Sequence, residues 1–277
     1  MTTRKLDWLT DPHLDHLRDE KMLLDFVKKL AARDSDGLLI TGDIAGFNTI
    51  YDILGIISGA YRRPVYFVLG NHDYYGAWMH ETHERVRAVC EAAPPGTLNW
   101  MSEAGVVMLG KQTAIIGHDG WYDGQEGKPG LKFSMPDFFL PHGICDLIQA
   151  LEMGSRLLFE KLYELGLESA KHIRKQVERA RDLGSRRILI LTHVPPFLQA
   201  SYFKGKPSEK HAAPFYVNKV LGDTLLEVAE AHPHIQMEVL AGHTHGAREY
   251  RARENLHVRV GRARYGRLPT WQTPVEV

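Results

Sequence analysis

The chain has 277 residues, with 34 Lys+Arg against 34 Asp+Glu, so its formal charge is zero. Its 44% apolar and 25% charged residues are ordinary globular composition, which excludes a disordered, collagen-like or low-complexity chain. Zero net charge gives no global pull toward nucleic acid or anionic lipid.

Leu6 to Leu9 is expected as a short strand running into Thr10-Asp11-Pro12-His13. Residues 19–33 carry Leu23, Phe26, Val27 and Leu30 at helical spacing. Leu38 to Thr41 is a compact apolar run stopped by Gly42-Asp43, and Ile50, Ile53, Leu54 and Ile57 repeat the helical spacing. Val65 to Leu69 is the next strand, stopped by Gly70-Asn71. Strand–helix–strand–helix–strand order signals an α/β layer with partly parallel strands, whose ligands sit beyond the strands' carboxyl ends. Further strands are expected at Val106–Leu109 and Ala114–Ile116, then a Gly/Pro/aromatic loop over 120–143 and helices over 144–183 broken near Gly154 or Gly166. A buried strand at 187–192 delivers His193, and 197–214 reads as a loop. A helix follows at 218–231, then a strand at 238–241 ending in Gly242-His243-Thr244-His245, and edge strands such as His257–Val260. With no repeat and no linker, residues 1–277 read as one domain with a loop-plus-helix insertion at about 120–183.

Cys90 and Cys145 are the only cysteines, too few for a disulfide framework or a thiolate metal site, and both read as core residues. No apolar run reaches the roughly 18 residues of a membrane span. Met1 leads directly into a charged segment, so no signal peptide is expected and the chain reads as cytoplasmic. Fifteen histidines make imidazole and oxygen the expected donors to any metal.

Five segments share one grammar, in which an apolar strand ends and a His, Asp or Asn follows at once: Asp11-Pro12-His13, Gly42-Asp43, Gly70-Asn71-His72-Asp73, Thr192-His193 and Gly242-His243-Thr244-His245. The candidate donors are carboxylates, neutral imidazoles and one amide carbonyl, a set that suits Zn, Fe or Mn over Ca. Seven donors exceed one tetrahedral ion and suit two ions sharing a carboxylate, an arrangement that clamps a phosphoryl group.

In this order the motifs resemble those of the calcineurin-like metallophosphoesterases, over residues 11 to 245. The resemblance implies a two-sheet β-sandwich flanked by helices, an αββα four-layer α/β fold with a helical insertion. It implies Asp11, His13 and His245 as ligands of one metal, Asn71, His193 and His243 as ligands of a second, and Asp43 as the bridge. His72 is then the catalytic histidine, with Asp73 fixing its tautomer. The expected cofactors are two divalent ions, Mn or Fe first and Zn as an alternative. The activity implied is phosphoester hydrolysis by a metal-bridging hydroxide, read as a phosphodiesterase. The alternatives are a phosphomonoesterase acting on a small metabolite and a non-catalytic scaffold. Ile44-Ala45-Gly46-Phe47 after Asp43, and Asp73 in place of Glu, depart from the Ser/Thr protein phosphatases; Gly46, where purple acid phosphatases carry Tyr, departs from that branch.

His118, Trp121 and Tyr122 are candidate substrate contacts, with the two aromatics set to stack on a nucleobase. The insertion, including Phe133, Phe138 and Phe139, reads as a cap packed on itself, and the loop carrying Lys204 and Lys206 would close another side of the pocket. The expected partner is a phosphoester substrate, with a nucleotide as one form. Seven arginines between Arg248 and Arg267 read as a solvated face, with a nucleic-acid track as the sharper alternative. No membrane partner is expected.

Overall fold

A computed structural model describes residues 4–127 and 135–277. The amino-terminal half alternates short buried strands with helices: β1 (Lys5–Leu9), α1 (Glu20–Ala31), β2 (Gly37–Thr41), α2 (Ile50–Tyr61), β3 (Val65–Val68), α3 (Met79–Ala92) and β4 (Leu98–Trp100). Then come α4 (Met101–Ala104), β5 (Val107–Met108), β6 (Thr113–Gly117), α5 (Cys145–Met153), α6 (Ser155–Asp182) and β7 (Arg187–Leu191). The hairpin β8 (Tyr202–Phe203) and β9 (Lys206–Pro207) precedes α7 (Lys219–Ala231), β10 (Gln236–Ala241), β11 (Arg248–Arg253), β12 (Leu256–Val260) and β13 (Val275–Glu276).

The strands form two large mixed sheets, ordered β13-β1-β2-β3-β4 and β11-β12-β10-β7-β6-β5. β1 to β4 run parallel, as do β6, β7, β10 and β12. Side-chain alternation divides each strand between two cores. Leu6, Trp8, Leu39, Tyr66 and Val68 of the first sheet meet Ile115, Leu189, Leu191 and Leu240 of the second. On the outer face of the first sheet, Leu9, Leu38, Ile40 and Phe67 cluster with Phe26 and Leu30 of α1 and Ile53 and Leu54 of α2. On the outer face of the second, Ile188, Ile190 and Val239 cluster with Ile173 and Val177 of α6 and Leu221 and Leu225 of α7. This is the α/β, four-layer arrangement of two sheets flanked by helices, and the parallel strands deliver their carboxyl-end loops to one edge.

Several expectations change. The helical break falls at Gly154 (φ 132°), whereas Gly166 lies inside α6. The insertion packs on itself, α5 against α6, but is not a separate cap: Phe138, Ile144, Leu147, Leu158 and Leu162 join the same core as Leu9 and Phe26, because these side chains find Tyr122, Phe215 and the sheet-facing apolar surface. Phe139 is exposed, and Phe133 lies outside the described residues. β12 is interior, paired on both sides, and β11 is the edge. Cys90 and Cys145 are half-buried, not core. Helix α3 went unanticipated because its buried face, Met79, Thr82, Val86 and Val89, is sparse among charged residues. Among the described residues no helix is long and apolar enough to cross a membrane.

Candidate metal centre

Every candidate donor lies in a loop that follows a parallel strand. Asp11 and His13 follow β1, Asp43 follows β2 and Asn71 follows β3; His193 follows β7, and His243 and His245 follow β10. The loops are laced together by backbone hydrogen bonds: Asp11 N to Gly42 O, His13 N to Asp43 O, and Gly242 N to His193 O. Asp11, His13, Asp43, His243 and His245 all have φ between 41° and 67°, and among the described residues only Arg62 and Lys204 join them as non-glycine residues in that region. Such backbone costs about 1–3 kcal/mol per residue and persists where surrounding structure over-determines it. The strain therefore concentrates on the donors.

The ring nitrogens and carboxylates converge as acceptors. His193 Nδ1 donates to Thr41 O at 2.8 Å, and His243 Nε2 donates to Phe215 O at 2.9 Å. Each imidazole thereby turns its other nitrogen, a bare lone pair, on Asn71 Oδ1, at 3.1 Å and 3.0 Å. Asp43 Oδ1 lies 3.3 Å from that same His193 Nε2. In the second group, His13 Nε2 is 3.2 Å from His245 Nε2, Asp11 Oδ1 is 3.3 Å from His245 Nε2, and Asp43 Oδ2 is 3.6 Å from His13 Nε2. Asp43 thus faces both groups with different oxygens. Asp11, His13, Asp43 and His245 form one cluster able to hold a metal ion, and His13, His16 and His72 form a second that shares His13.

Gly42, Gly70 and Gly242 keep this space open. A Cβ on Gly70 would fall on Asp43 Oδ1 and the His193 ring, one on Gly42 on His193, and one on Gly242 on Thr10 and Asp11. Burial holds the His243 imidazole down to about 3, so the ring stays neutral, as a ligand must. Burial opposes ionisation of Asp11, but the neighbouring His245 outweighs it and keeps the carboxyl well below its ordinary value. Converging carboxylate, amide and imidazole lone pairs, strained backbone and side-chain-free glycines together fit metal ions; the donor set fits two.

His72 is beside this cluster, and burial pushes its imidazole down to about 3. Asp73 does not touch its ring. Asp73 instead accepts from the backbone amides of Ile44, Ala45 and Gly70 at 2.7–2.9 Å, tying the loop after β2 to the loop after β3. A carboxylate three residues into a tight turn finds those amides before it can reach the neighbouring ring. His72 is held by Tyr75, stacked at 4.2 Å and 28°, and by the hydroxyl of Tyr265, 3.1 Å from Nε2.

The other predicted contacts are elsewhere. Trp121 and Tyr122 are 5% and 0% exposed, so neither face is free for a base. Tyr122 stacks on His243 at 5.8 Å and donates to Asp137 Oδ1 at 3.1 Å. His118 faces His172, takes the Gly120 amide on Nδ1, and lines a separate cavity of about 230 Å³ with Trp100, Trp121 and Glu168. These residues follow a strand end, as the donors do, but their loop turns inward beneath the donor loops: Asp119 O accepts from His193 N. The β8–β9 hairpin carries Lys204 and Lys206, both exposed, and its Tyr202 sits against Gly246. Of the arginine run, Arg253 pairs with Glu230 and Arg259 with Glu238, while Arg248 lies over the Tyr202 ring.

The calcineurin-like phosphoesterase family matches residues 5–247, and the chain belongs to that family. It is a metal-dependent hydrolase of phosphoesters. Solved structures share the fold at low identity. The phosphopantetheinyl hydrolase of Mycobacterium tuberculosis aligns at 14% identity over 95% of this chain and 90% of its own, with a TM-score of 0.59. A dimetal phosphatase from Danio rerio aligns at 12% identity over 93% and 86%, with a TM-score of 0.55. No curated protein matches the chain.

Proposed function

We propose that the protein is a two-metal phosphodiesterase whose first ion is held by Asp11, His13 and His245 and whose second is held by Asn71, His193 and His243, with Asp43 shared. The observation that carries the two-ion assignment is Asp43, which presents Oδ2 to His13 and Oδ1 to His193. Manganese or iron suits this oxygen-and-imidazole set, and zinc is the alternative. Bound there, the ions supply Lewis acidity and a water acidic enough to attack phosphorus at neutral pH.

The chain's own groups do the rest. Thr41 O and Phe215 O fix the two imidazole tautomers, so no proton must leave those nitrogens when a ligand arrives. Thr10 Oγ1 donates to Asp11 Oδ2 at 2.5 Å and the His243 amide to Asp11 Oδ1 at 2.9 Å, fixing that carboxylate. His72, clamped between Tyr75 and Tyr265, is placed to hydrogen-bond the phosphoryl group or the departing oxygen.

The diester reading rests on the charge of the mouth. The rings packed around His13 and His72 include those of His16, Tyr75, Tyr265 and His245, groups that meet a phosphoryl oxygen chiefly through hydrogen bonds. A singly charged diester asks for less compensation than a doubly charged monoester. The test is hydrolysis of bis-p-nitrophenyl phosphate beside p-nitrophenyl phosphate by manganese-loaded protein. A higher kcat/KM on the diester is expected; a preference for the monoester supports the phosphomonoesterase reading. Two equivalents of metal with neither activity would leave only a scaffold.

A further inference from the structure

We propose that Tyr265, together with His16, binds the phosphoryl group of the substrate directly, as part of a hydrogen-bonding cradle completed by His72. The inference rests on the two-metal reading of the site. It assigns a substrate contact to a segment that the family match, ending at residue 247, does not include.

Tyr265 sits at the tip of a strap that leaves β12 and returns to β13. The strap is anchored on both sides of the site. Gly261 N donates to Ala241 O at 2.9 Å, beside the histidine pair that follows β10, and Ala263 N reaches His245 O at 3.4 Å. Gln272 closes the base of the strap: its amide donates to Trp8 O on β1, its side-chain oxygen accepts from Arg262 N, and its side-chain nitrogen donates to Arg262 O and Thr270 O. Gly261 must be a glycine, because a Cβ there would collide with Thr10 next to Asp11. A loop fixed at three points is not a passive tail; it holds its tip in one place.

At that tip, the Tyr265 ring lies 4.2 Å from His13, 4.8 Å from His245, 5.4 Å from His16 and 5.7 Å from His72, centroid to centroid. Its hydroxyl is 3.1 Å from His72 Nε2. Yet Tyr265 is 48% exposed, so one side of the ring faces solvent where a substrate must enter. His16 lies one turn beyond His13, is likewise exposed, and brings a ring nitrogen within 4.8 Å of ring nitrogens of His13 and His72. With His13 given over to a metal, the remaining polar hydrogens at this corner belong to His16, His72 and the Tyr265 hydroxyl. All three are groups that can donate to a phosphoryl oxygen, and they converge beside the ion that His13 holds. The tyrosine's exposed ring edge also offers an apolar wall for whatever the ester carries beyond the phosphorus.

The test uses full-length, manganese-loaded protein and inorganic phosphate as the probe, with phosphate affinity read by calorimetry, metal content by elemental analysis and folding by thermal melting. Tyr265→Phe keeps the ring and removes the hydroxyl, so metal content and melting should match the parent while phosphate binds roughly tenfold more weakly. The KM for a phosphodiester should rise with it. His16→Gln should weaken phosphate by several-fold in the same way. The same Tyr265→Phe change made in a His72→Ala background should still weaken phosphate, because the contact is direct. If the effect vanishes there, Tyr265 only positions His72, and the proposal is wrong. It is also wrong if Tyr265→Phe binds phosphate like the parent, or if it loses metal, which would make the tyrosine a support for the ligands. Any of these results leaves the two-metal reading standing, provided that the parent protein binds phosphate and turns over esters. Failure of the parent, metal-loaded, to do either overturns both.

Discussion

Asp7 lies in the middle of β1 and Asp11 two residues beyond its end, and both are buried. Their surroundings are opposite. Asp7 is closed within the protein: it accepts from Arg33 through both oxygens and from Ser35 Oγ at 2.6 Å, and Ser35 passes the network to Tyr61 at 2.7 Å. Asp11 accepts from Thr10 and the His243 amide but also faces His245, which in turn faces His13, nitrogen to nitrogen. One cluster is closed by a cation of its own, Arg33; the other gathers two carboxylates and facing imidazole nitrogens around one space. A closed cluster is built to hold a fold together, whereas carboxylates and imidazoles gathered around one space are built to take up a cation from outside.

That contrast can be broken most forcefully at Asp43, the carboxylate common to both donor groups. Asp43→Asn should lower metal content and turnover together, with a loss of activity exceeding that of any change outside the donor set. Elemental analysis beside a diesterase assay decides it. Two full equivalents of metal at an unchanged rate would remove Asp43 from the site.

His72 sharpens the same contrast from just outside the donors. His72→Ala should leave both metals bound and lower kcat/KM by about 10²–10⁴-fold. Loss of one metal equivalent would make His72 a ligand, alongside His13 and His16, whose ring nitrogens lie within 4.8 Å of its own.

The sequence made the donor set legible because each member follows an apolar strand at once, and strand ends in a parallel sheet share an edge. The same rule misread Trp121 and Tyr122. They too follow a strand, β6, but Asp119 turns their loop beneath the donors by accepting the His193 and Leu69 amides and the Trp100 indole. Tyr265 was invisible for the opposite reason. It lies on an irregular strap, five residues past the end of β12, within an arginine run that reads as a solvated face or a nucleic-acid track. Its place over His13 depends on Gln272 and Gly261, contacts that no local pattern encodes. Asp73 was misread through proximity: adjacent in sequence to His72, it spends its oxygens on three amides.

At Asp7 the comparison predicts a loss of stability without a loss of function. Burial raises the Asp7 carboxyl, but the hydrogen bonds from Arg33 and Ser35 and the Arg33 charge outweigh it, so its folded value lies below the ordinary one. A depressed carboxyl stabilises the fold above its unfolded value, about 3.9, and that contribution disappears as pH falls through the lower folded value. Asp7→Asn should therefore cost about 2 kcal/mol at neutral pH, less than a fully buried pair because Arg33 reaches solvent. The gap from the parent should begin to narrow below about pH 4. Denaturant melts at pH 7 and pH 3.5 measure it, with metal content and kcat/KM unchanged at pH 7. A metal loss in this variant would join the two clusters that the structure keeps apart.

Tyr122 carries the smallest expected effect, and it separates a sealed aromatic from one at the mouth. Its ring backs His243 and its hydroxyl donates to Asp137, which also accepts from Tyr75 at 3.1 Å. Tyr122→Phe keeps the stack and removes one of those two donors from a buried carboxyl, a cost of about 1 kcal/mol. Because no substrate can reach a residue with no exposed surface, the change should act only indirectly, through Asp137 and the Tyr75 that shares it. Its effect on kcat/KM, within about threefold, should be the same for a nucleotide diester as for bis-p-nitrophenyl phosphate, since the hydroxyl that is removed serves Asp137 and not a substrate. A selective loss on the nucleotide would mean that the loop after β6 opens to admit a base, and that burial in the resting fold does not define the pocket. Equal, small losses would leave the solvent-facing Tyr265 as the aromatic that meets the substrate.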